Sequence, residues 1–155
     1  MYKHLNYNDL DILLGFEKTK AKLDVYVVSI ESIIRKAFPE LPMNKMLDMN
    51  SKHYAVHFVV GHNIIKIGID WSLGEAFFGG TIRCSTQTPL SQAAVIEKEW
   101  CYWEGEEWME YINYKRLADF MFVDSHYAEM EELKGFITQI CEDIFDLITT
   151  IEKTY

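Results

Sequence analysis

The stretch HYAVHFVVGHNIIKIGID, residues 53–70, carries the strongest signal for the fold. Two runs rich in β-branched and aromatic residues flank the turn signal GHN, and this arrangement is typical of an antiparallel hairpin. From Ile65 to Ile69 every second residue is isoleucine, so one face of the second strand is apolar. The run EAFFGGTIRC, residues 75–84, follows the turn DWSLG. Residues 53–85 are therefore predicted to form a three-stranded antiparallel meander.

The third strand of this meander contains an adjacent pair of glycines, Gly79 and Gly80. Glycine inside a strand marks a bulge or a place where another element comes close to the backbone. We expect a bulge or a crossing helix at this pair, and the alternative is a ligand bound against bare backbone.

Amphipathic helices are predicted on both sides of the meander. Residues 9–38 place apolar side chains at a period close to 3.6, and Pro39 ends this helix because the residue before proline avoids helical geometry. The same period extends over about seven turns after the capping residues Asp124 and Ser125. Residues 106–122 are also predicted as a helix, and residues 39–52 as a loop.

These elements predict a single α+β domain over residues 1–155. A long amphipathic helix needs another element to cover its apolar side, and the sheet is the natural one. We therefore expect the long N-terminal helix and the C-terminal helices to pack on the sheet in layers. The C-terminal helix also offers a surface for pairing two copies of the chain.

The distribution of charge restricts the choice of partner. The net charge is −9, yet residues 1–88 carry ten basic and nine acidic side chains, whereas residues 89–155 carry five basic and fifteen acidic ones. An anionic surface repels phosphate and anionic lipid, so direct binding to nucleic acid or to a membrane is not expected. A basic protein surface is the expected partner. A small local basic site remains compatible with these counts.

The sequence has no signal for a cofactor, a metal or export. No apolar run reaches the roughly 18 residues that span a bilayer, and the first residues contain no signal-peptide core, so a cytoplasmic location is expected. The cysteines, Cys84, Cys101 and Cys141, show neither zinc spacing nor a disulfide framework. His53 and His57 are predicted to lie on a strand, where residues four apart are about 13 Å from each other, too far to share one ion.

Two carboxylates and a lysine near the second turn of the meander offer one catalytic alternative. Asp70 ends one strand and Glu75 begins the next, with Lys66 on the strand of Asp70. Metal-dependent nucleases hold magnesium with acids on neighbouring strands and a nearby lysine. That lysine is expected about two residues beyond the second acid, where this chain has Phe77. A solvated turn is the favoured interpretation, and no catalytic residue is assigned.

A wider pattern covers residues 53–153. It consists of VVGHNIIKIGIDWSLGEAFFGGTIR, residues 59–83, then EEWMEYINYKRLADF, residues 106–120, and a long terminal helix. This pattern resembles the C-terminal region of some bacterial and phage proteins of the PD-(D/E)XK nuclease superfamily. The Asp…Glu-x-Lys signature of that superfamily is not recognisable here, so the resemblance implies an inactive or accessory relative.

The stretch EWCYWEGEEWMEY, residues 99–111, combines three tryptophans, two tyrosines and five glutamates. In a helix over residues 106–122, one side would carry Glu106, Glu107 and Glu110. Trp108 and Tyr111 would turn toward another side. Three interpretations stay open. The aromatic side chains pack inward beneath a wet acidic face, they form a docking surface for a protein, or they stack against a sugar or nucleobase.

These observations predict a small acidic, non-catalytic binding protein that inhibits or regulates a basic protein partner. A bacterial immunity protein, a phage-encoded anti-defence inhibitor and a mimic of nucleic-acid charge all fit this description. A nuclease-like enzyme is the alternative. The residues expected to contact the partner are Trp100, Trp103, Glu104, Glu106, Glu107, Trp108, Glu110 and Tyr111.

Overall fold

The computed structural model describes the backbone of residues 7–120 and 126–152, and the side chains of residues 11, 12, 14–120 and 130–148. Its elements combine helices with one antiparallel sheet, so the predicted α+β class is confirmed. In chain order they are α1 Tyr7–Ala37, β1 Met43–Asp48, β2 His53–Val60, β3 Asn63–Asp70, β4 Phe77–Ser85, α2 Gln92–Glu97, β5 Cys101–Glu104, β6 Trp108–Arg116, α3 Leu117–Phe120 and α4 His126–Glu152.

The sheet has the strand order β1-β2-β3-β4-β6-β5, and every neighbouring pair is antiparallel. The expected meander is present as β2, β3 and β4. The sheet nevertheless has six strands among the described residues, so the prediction of three strands was wrong. β1 extends the sheet on one side, and the β5–β6 hairpin extends it on the other.

Two of the three additional strands lie in segments that were assigned otherwise. The expected loop over residues 39–52 contains β1, and the expected helix over residues 106–122 is β6 followed by the single turn α3. Residues 121 and 122, like the expected capping residues Asp124 and Ser125, lie outside the described residues. Glutamate favours helices intrinsically, but strand preference depends on cross-strand packing, and here β4 supplies that packing along the whole of β6.

One face of the sheet is covered by the long helices. α1 contacts β2 and β3, while α4 contacts β4 and α1. Apolar side chains at alternate strand positions meet the helices there, as the period of two requires. This covered face holds the core, which includes Val56, Phe58, Ile65, Ile67, Ile69, Phe78 and Ile82 of the sheet and Ile30, Ile34, Ile137, Ile140 and Ile144 of the helices.

The other face of the sheet is named the open face here. It carries the intervening residues of each strand, such as His53 and His57 of β2 and Lys66 and Asp70 of β3, which pair directly across the two strands. Trp108 and Glu110 of β6 lie on this face as well, because the register places Glu110 opposite Arg83, which alternates with the buried Ile82 and Cys84.

The two adjacent glycines of β4 serve opposite faces. A Cβ at Gly80 would lie 3.0 Å from Cγ2 of Ile140 on α4, so the helix approaches the sheet where no side chain intervenes. The expectation of a helix crossing at this pair is confirmed. A Cβ at Gly79 would instead clash with the backbone of β6 at Asn113. Gly79 therefore permits close approach of two strands on the open face.

Within the described part of the chain, no helix combines the length and apolarity that crossing a bilayer requires. The long apolar stripe of α4 is occupied by the chain's own core, where Leu133, Ile137, Ile144, Leu147 and Ile148 are buried. Pairing of two copies through α4 stays a prediction, and the stripe that suggested it already has an intramolecular partner.

Candidate functional site

The acidic aromatic stretch forms a hairpin at one edge of the sheet. β5 pairs with β6 in a register that sets Trp103 opposite Glu110 and Tyr102 opposite Tyr111. The turn is closed by a hydrogen bond from the backbone N–H of Gly105 to the carbonyl oxygen of Trp108, at 2.8 Å. We call residues 101–110 the edge hairpin. Its first strand, β5, is the outermost strand at this edge of the sheet, and all four residues of β5 are exposed.

Two of the predicted contact residues form an exposed aromatic surface on the edge hairpin. The side chains of Trp103 and Trp108 are 59% and 43% exposed. Both lie on the open face, on adjacent strands. The six-membered ring of Trp103 lies over Gly105, where a Cβ would come within 2.9 Å of it, so the absent side chain leaves room for the indole. Exposed indoles of this size are typical of interface hot spots.

Two other predicted contact residues are buried in the core, and neither is available to a partner in this conformation. Trp100 and Tyr111 are 3% and 0% exposed. The Tyr111 hydroxyl accepts a hydrogen bond from the backbone N–H of Leu90 at 3.0 Å, and burial is the main cause that raises the pKa of Tyr111 to about 12. The hydroxyl is therefore protonated at neutral pH.

The inward direction of Trp100 follows from the end of α2. The backbone N–H of Trp100 donates to the carbonyl of Val95, and that of Glu99 donates to the carbonyl of Ile96, each at 3.0 Å. These two bonds form a Schellman motif, which requires a left-handed residue after the helix. Glu99 takes that conformation with φ 64°, and it turns the chain so that Trp100 enters the core.

The edge hairpin carries four glutamates beside its two exposed indoles along the chain, and Glu104, which pairs with the buried Met109, lies on the face opposite to the indoles. Glu104, Glu106 and Glu107 are exposed and form no ion pair within the described part of the chain. Glu110 lies on the open face, further from the turn of the hairpin than Trp108 and 3.9 Å from the guanidinium of Arg83. The nearest lysine along the chain, Lys98, is engaged by Asp146 at 3.2 Å and Asp143 at 3.9 Å. The described residues therefore leave the negative charge of the hairpin largely uncompensated.

The strand β6 corrects the expectation of which side chains in this stretch share a face. In a helix, Glu110 and Trp108 would have pointed in different directions, but residues two apart on a strand share a face. Trp108 and Glu110 therefore accompany each other on the open face, whereas Tyr111 points to the core. An acidic group and an aromatic group are thus presented together.

The free edge of β5 also presents backbone hydrogen-bonding groups. Because the Gly105–Trp108 pair is hydrogen-bonded, alternation along an antiparallel ladder makes the pairs at Trp103 and Cys101 hydrogen-bonded too. The N–H and C=O groups of the intervening Tyr102 and Glu104 consequently point away from β6, toward solvent. Such an edge is a template for the addition of a further strand.

The three side chains considered for metal-dependent catalysis are engaged elsewhere or separated. Glu75 pairs with Arg116 at 2.7 Å, and Asp70 Oδ1 accepts hydrogen bonds from Ser72 N–H at 2.8 Å and Ser72 Oγ at 2.6 Å. Lys66 is four residues from Asp70 on the same strand. Among the described residues, no group of three or more histidine, cysteine, aspartate or glutamate side chains is placed to hold a metal ion.

The expected separation of His53 and His57 was wrong for the rings. Their centroids lie 5.6 Å apart in a stacked arrangement, because the two side chains lean together over the small Ala55 between them. Nε2 of His57 is buried and has no hydrogen-bond partner in the part of the chain that the structure describes. Burial is the main cause that lowers the pKa of His57 to about 4, and the positive charge of Lys66 adds to it.

Comparison of this chain with protein-family models, with curated proteins and with solved structures gave no match. The resemblance of residues 53–153 to part of the PD-(D/E)XK superfamily therefore stays a prediction.

Proposed function

We propose that this protein is an acidic, non-catalytic binding protein that docks on a basic surface of another protein through the edge hairpin. The observation that carries the proposal is the exposure of Trp103 and Trp108 on a hairpin whose Glu104, Glu106 and Glu107 are also exposed and form no ion pair with any described residue. The remaining residues of the predicted set have other roles. Trp100 and Tyr111 support the hairpin from the core, and Glu110 borders it on the open face.

Affinity in this proposal comes from the two indoles. Tryptophan is enriched among the few residues that dominate binding energy, and its truncation at a hot spot costs on the order of 2 kcal/mol or more. The indoles are held on paired strands and not on a mobile loop, so little conformational entropy is lost when they are buried against a partner.

The glutamates favour a basic partner and speed its approach. Exposed charges at the rim of an interface act mainly on the association rate and on discrimination between partners. Binding should therefore weaken as salt rises, because the Debye length falls from about 10 Å at 0.1 M to about 3 Å at 1 M. The indoles should retain a salt-independent part of the affinity.

The free edge of β5 suggests a geometry for the complex. A strand of the partner that pairs with Tyr102 and Glu104 would lie beside the acidic side chains of the hairpin. Main-chain hydrogen bonds provide affinity in such strand addition, and alternate side chains provide specificity. A partner strand with basic residues would satisfy both the edge and its charge.

Occlusion of a basic surface is the action that these features suit best. An immunity-type protein, an anti-defence inhibitor and a mimic of nucleic-acid charge would each work by such occlusion. Each of these inhibitors would cover a basic site that otherwise binds nucleic acid or another acidic molecule.

Site-specific photo-crosslinking tests the proposal before the partner is known. A benzophenone side chain is introduced at position 103 or 108 and, as a control, at Val28 on α1, which is similarly exposed. After irradiation in the source cells, the proposal expects one basic protein crosslinked from positions 103 and 108 and absent from the control. Equal crosslinking from all three positions, or a crosslinked partner with an acidic surface, would contradict it.

A further inference from the structure

The open face contains a cleft that is separate from the exposed indoles. It has a larger lobe of about 330 Å³ and a smaller lobe of about 90 Å³. The two lobes share the side chains of Asp70, Thr81, Glu110 and Tyr114, so they adjoin each other on the open face. The smaller lobe is below the usual range for small-molecule sites and has room only for a small group, whereas the larger lobe reaches the lower end of that range.

Small residues at the centre of the open face make this cleft. Ala55, Gly68 and Gly79 are neighbours across three strands. A Cβ at Gly68 would clash with the backbone of β2, and one at Gly79 would clash with that of β6. The strands approach each other so closely on this face that no side chain fits. The floor of the cleft therefore remains bare while longer side chains stand around it.

A cationic group stands at one end of the cleft. Lys66 lines the smaller lobe together with His53, and it forms no ion pair with any described residue. Its neighbour His57 is neutral at physiological pH because burial lowers the pKa of His57 to about 4. Asp70 and Glu110 line the same lobe, but Asp70 is four residues from Lys66 along β3 and Glu110 lies 3.9 Å from Arg83, so the Lys66 ammonium group is suited to hold an anionic ligand.

Hydrogen-bonding groups occupy the middle of the cleft. Thr81 is 6% exposed, and its hydroxyl has no partner among the residues that the structure describes. Burial, and after it the charges of Asp70 and Glu110, raises the pKa of Tyr114, so its hydroxyl is a donor at neutral pH. Asp70 uses Oδ1 for Ser72 and leaves Oδ2 to accept from a ligand.

An apolar wall completes the larger lobe. Phe77 and Tyr114 approach with ring centroids 6.4 Å apart, and Ile112 and Leu73 line the same lobe. These side chains can cover one face of a ring. The cleft thus offers a cation at one end, acceptors and donors in the middle, and an apolar wall beside them.

We propose that this cleft binds a small anion that carries hydroxyl groups, of the chemical class that sugar phosphates and nucleotides share. Lys66 holds the anionic group, Asp70 and Glu110 accept hydrogen bonds from the hydroxyls, and Phe77 with Tyr114 contacts the ring. Asp70 and Glu110 outnumber Lys66 in the cleft, so the anionic group is expected at the Lys66 end, with its hydroxyl groups toward the two carboxylates.

Calorimetric titration with four probes tests the proposal. The probes are ribose 5-phosphate, adenosine 5′-monophosphate, adenosine and inorganic phosphate, each at millimolar concentration. Binding of ribose 5-phosphate in preference to the nucleotide would support a sugar phosphate as the ligand, and the reverse preference would support a nucleotide. Failure of all four probes, or equal affinity for inorganic phosphate and ribose 5-phosphate, would overturn the proposal.

Variants locate the binding. Lys66→Met is expected to weaken binding of the preferred probe at least about tenfold, because a charge-assisted contact is lost. Lys22→Met, which removes a charge from the exposed side of α1, should leave binding unchanged. Thr81→Val keeps the shape of the side chain and should weaken binding several-fold, with the fold checked by circular dichroism. Equal effects of Lys66→Met and Lys22→Met would overturn the proposal.

One further variant separates the binding role of the docking surface from that of the cleft. The double variant Trp103→Ala/Trp108→Ala should bind the preferred probe as the original chain does, since neither indole lines the cleft. Loss of probe binding in this double variant, with the fold intact, would contradict the assigned position of the site.

Discussion

The indole Nε1 of Trp100 donates a hydrogen bond to Oδ2 of Asp143 at 2.9 Å, and both residues are buried. The other oxygen of Asp143 accepts from Gln139 Nε2 at 2.8 Å and lies 3.9 Å from Lys98 Nζ. A buried carboxylate is tolerated only when its oxygens are satisfied. Trp100 therefore joins α4 to the segment that leads into the edge hairpin, and its role is structural.

Removal of this hydrogen bond should destabilise the fold. Trp100→Phe keeps most of the apolar volume but leaves Oδ2 of Asp143 without its donor, so the free energy of unfolding should fall by about 2 kcal/mol. Urea denaturation measures the loss. Trp103→Phe is the matched control, because that indole is exposed, and it should change stability by less than about 0.5 kcal/mol. Equal stability losses in the two variants would show that Trp100 has no special structural role.

The left-handed residue after α2 offers a stabilising substitution. Glu99 has φ 64°, where a side chain is strained and glycine is not. Glu99→Gly should raise the free energy of unfolding by about 0.5–1 kcal/mol, after the greater freedom of glycine in the unfolded chain is subtracted. Glu99→Ala, which removes the charge but keeps Cβ, should give no such gain. A destabilised Glu99→Gly variant in thermal unfolding would count against the Schellman interpretation.

His57 predicts a specific dependence of stability on pH. Its folded pKa of about 4 lies below the unfolded value of about 6.5, so the unfolded state binds the additional proton in the interval between them. The stability from neutral His57 is present above pH 6.5 and is lost as pH falls toward 4. The ionisable groups around it are His53, Lys66 and Asp48.

Substitution of His57 isolates this contribution. Because the side chain is only partly buried, the loss between pH 7.5 and pH 5 should be about 1–2 kcal/mol. His57→Leu should remove most of this slope in urea titrations at the two pH values. The pKa values of Asp24 and Asp48 are lowered from 3.8, so these carboxylates change protonation below the pH interval of this experiment. An unchanged slope in His57→Leu would refute the assignment.

The outward backbone groups of β5 can be tested at one position. Glu104→Pro removes an N–H that points to solvent, so the β5–β6 pairing should survive while strand addition by the partner loses a hydrogen bond. Glu104→Ala removes the same carboxylate and keeps the N–H. Surface plasmon resonance with the partner that crosslinking identifies should show a faster dissociation for the proline variant than for the alanine variant. Identical dissociation rates would exclude strand addition at this edge and leave side-chain docking intact.

The sequence predicted the elements whose signal is local. The meander over residues 53–85 and the long helix α4 have apolar periods of two and about 3.6, and burial follows those periods. β1 and β6 lacked such a signal. MNKMLD and WMEYINYKR are mixed in character, and they become strands because β2 and β4 offer edges on which they pair.

The site could be predicted as a segment, but the role of each tryptophan could not. Trp100 and Trp103 are three residues apart and chemically identical. Their different burial arises from the left-handed turn at Glu99 and from the buried Asp143, which is 43 residues away. The stacked rings of His53 and His57 were missed for a related reason, since strand spacing fixes backbone separation and not the direction in which side chains lean.

The central claim is that the two exposed indoles of the edge hairpin dock on a basic partner. Titration calorimetry tests it, with the partner that photo-crosslinking identifies as the ligand of the double variant Trp103→Ala/Trp108→Ala. The double variant Val25→Ala/Val28→Ala on α1 is the control of similar exposure. The account predicts that the tryptophan variant raises the dissociation constant at least about 30-fold, equivalent to about 2 kcal/mol, while the valine variant changes it less than about twofold. A dissociation constant that is the same for the tryptophan variant and the original chain would contradict the account.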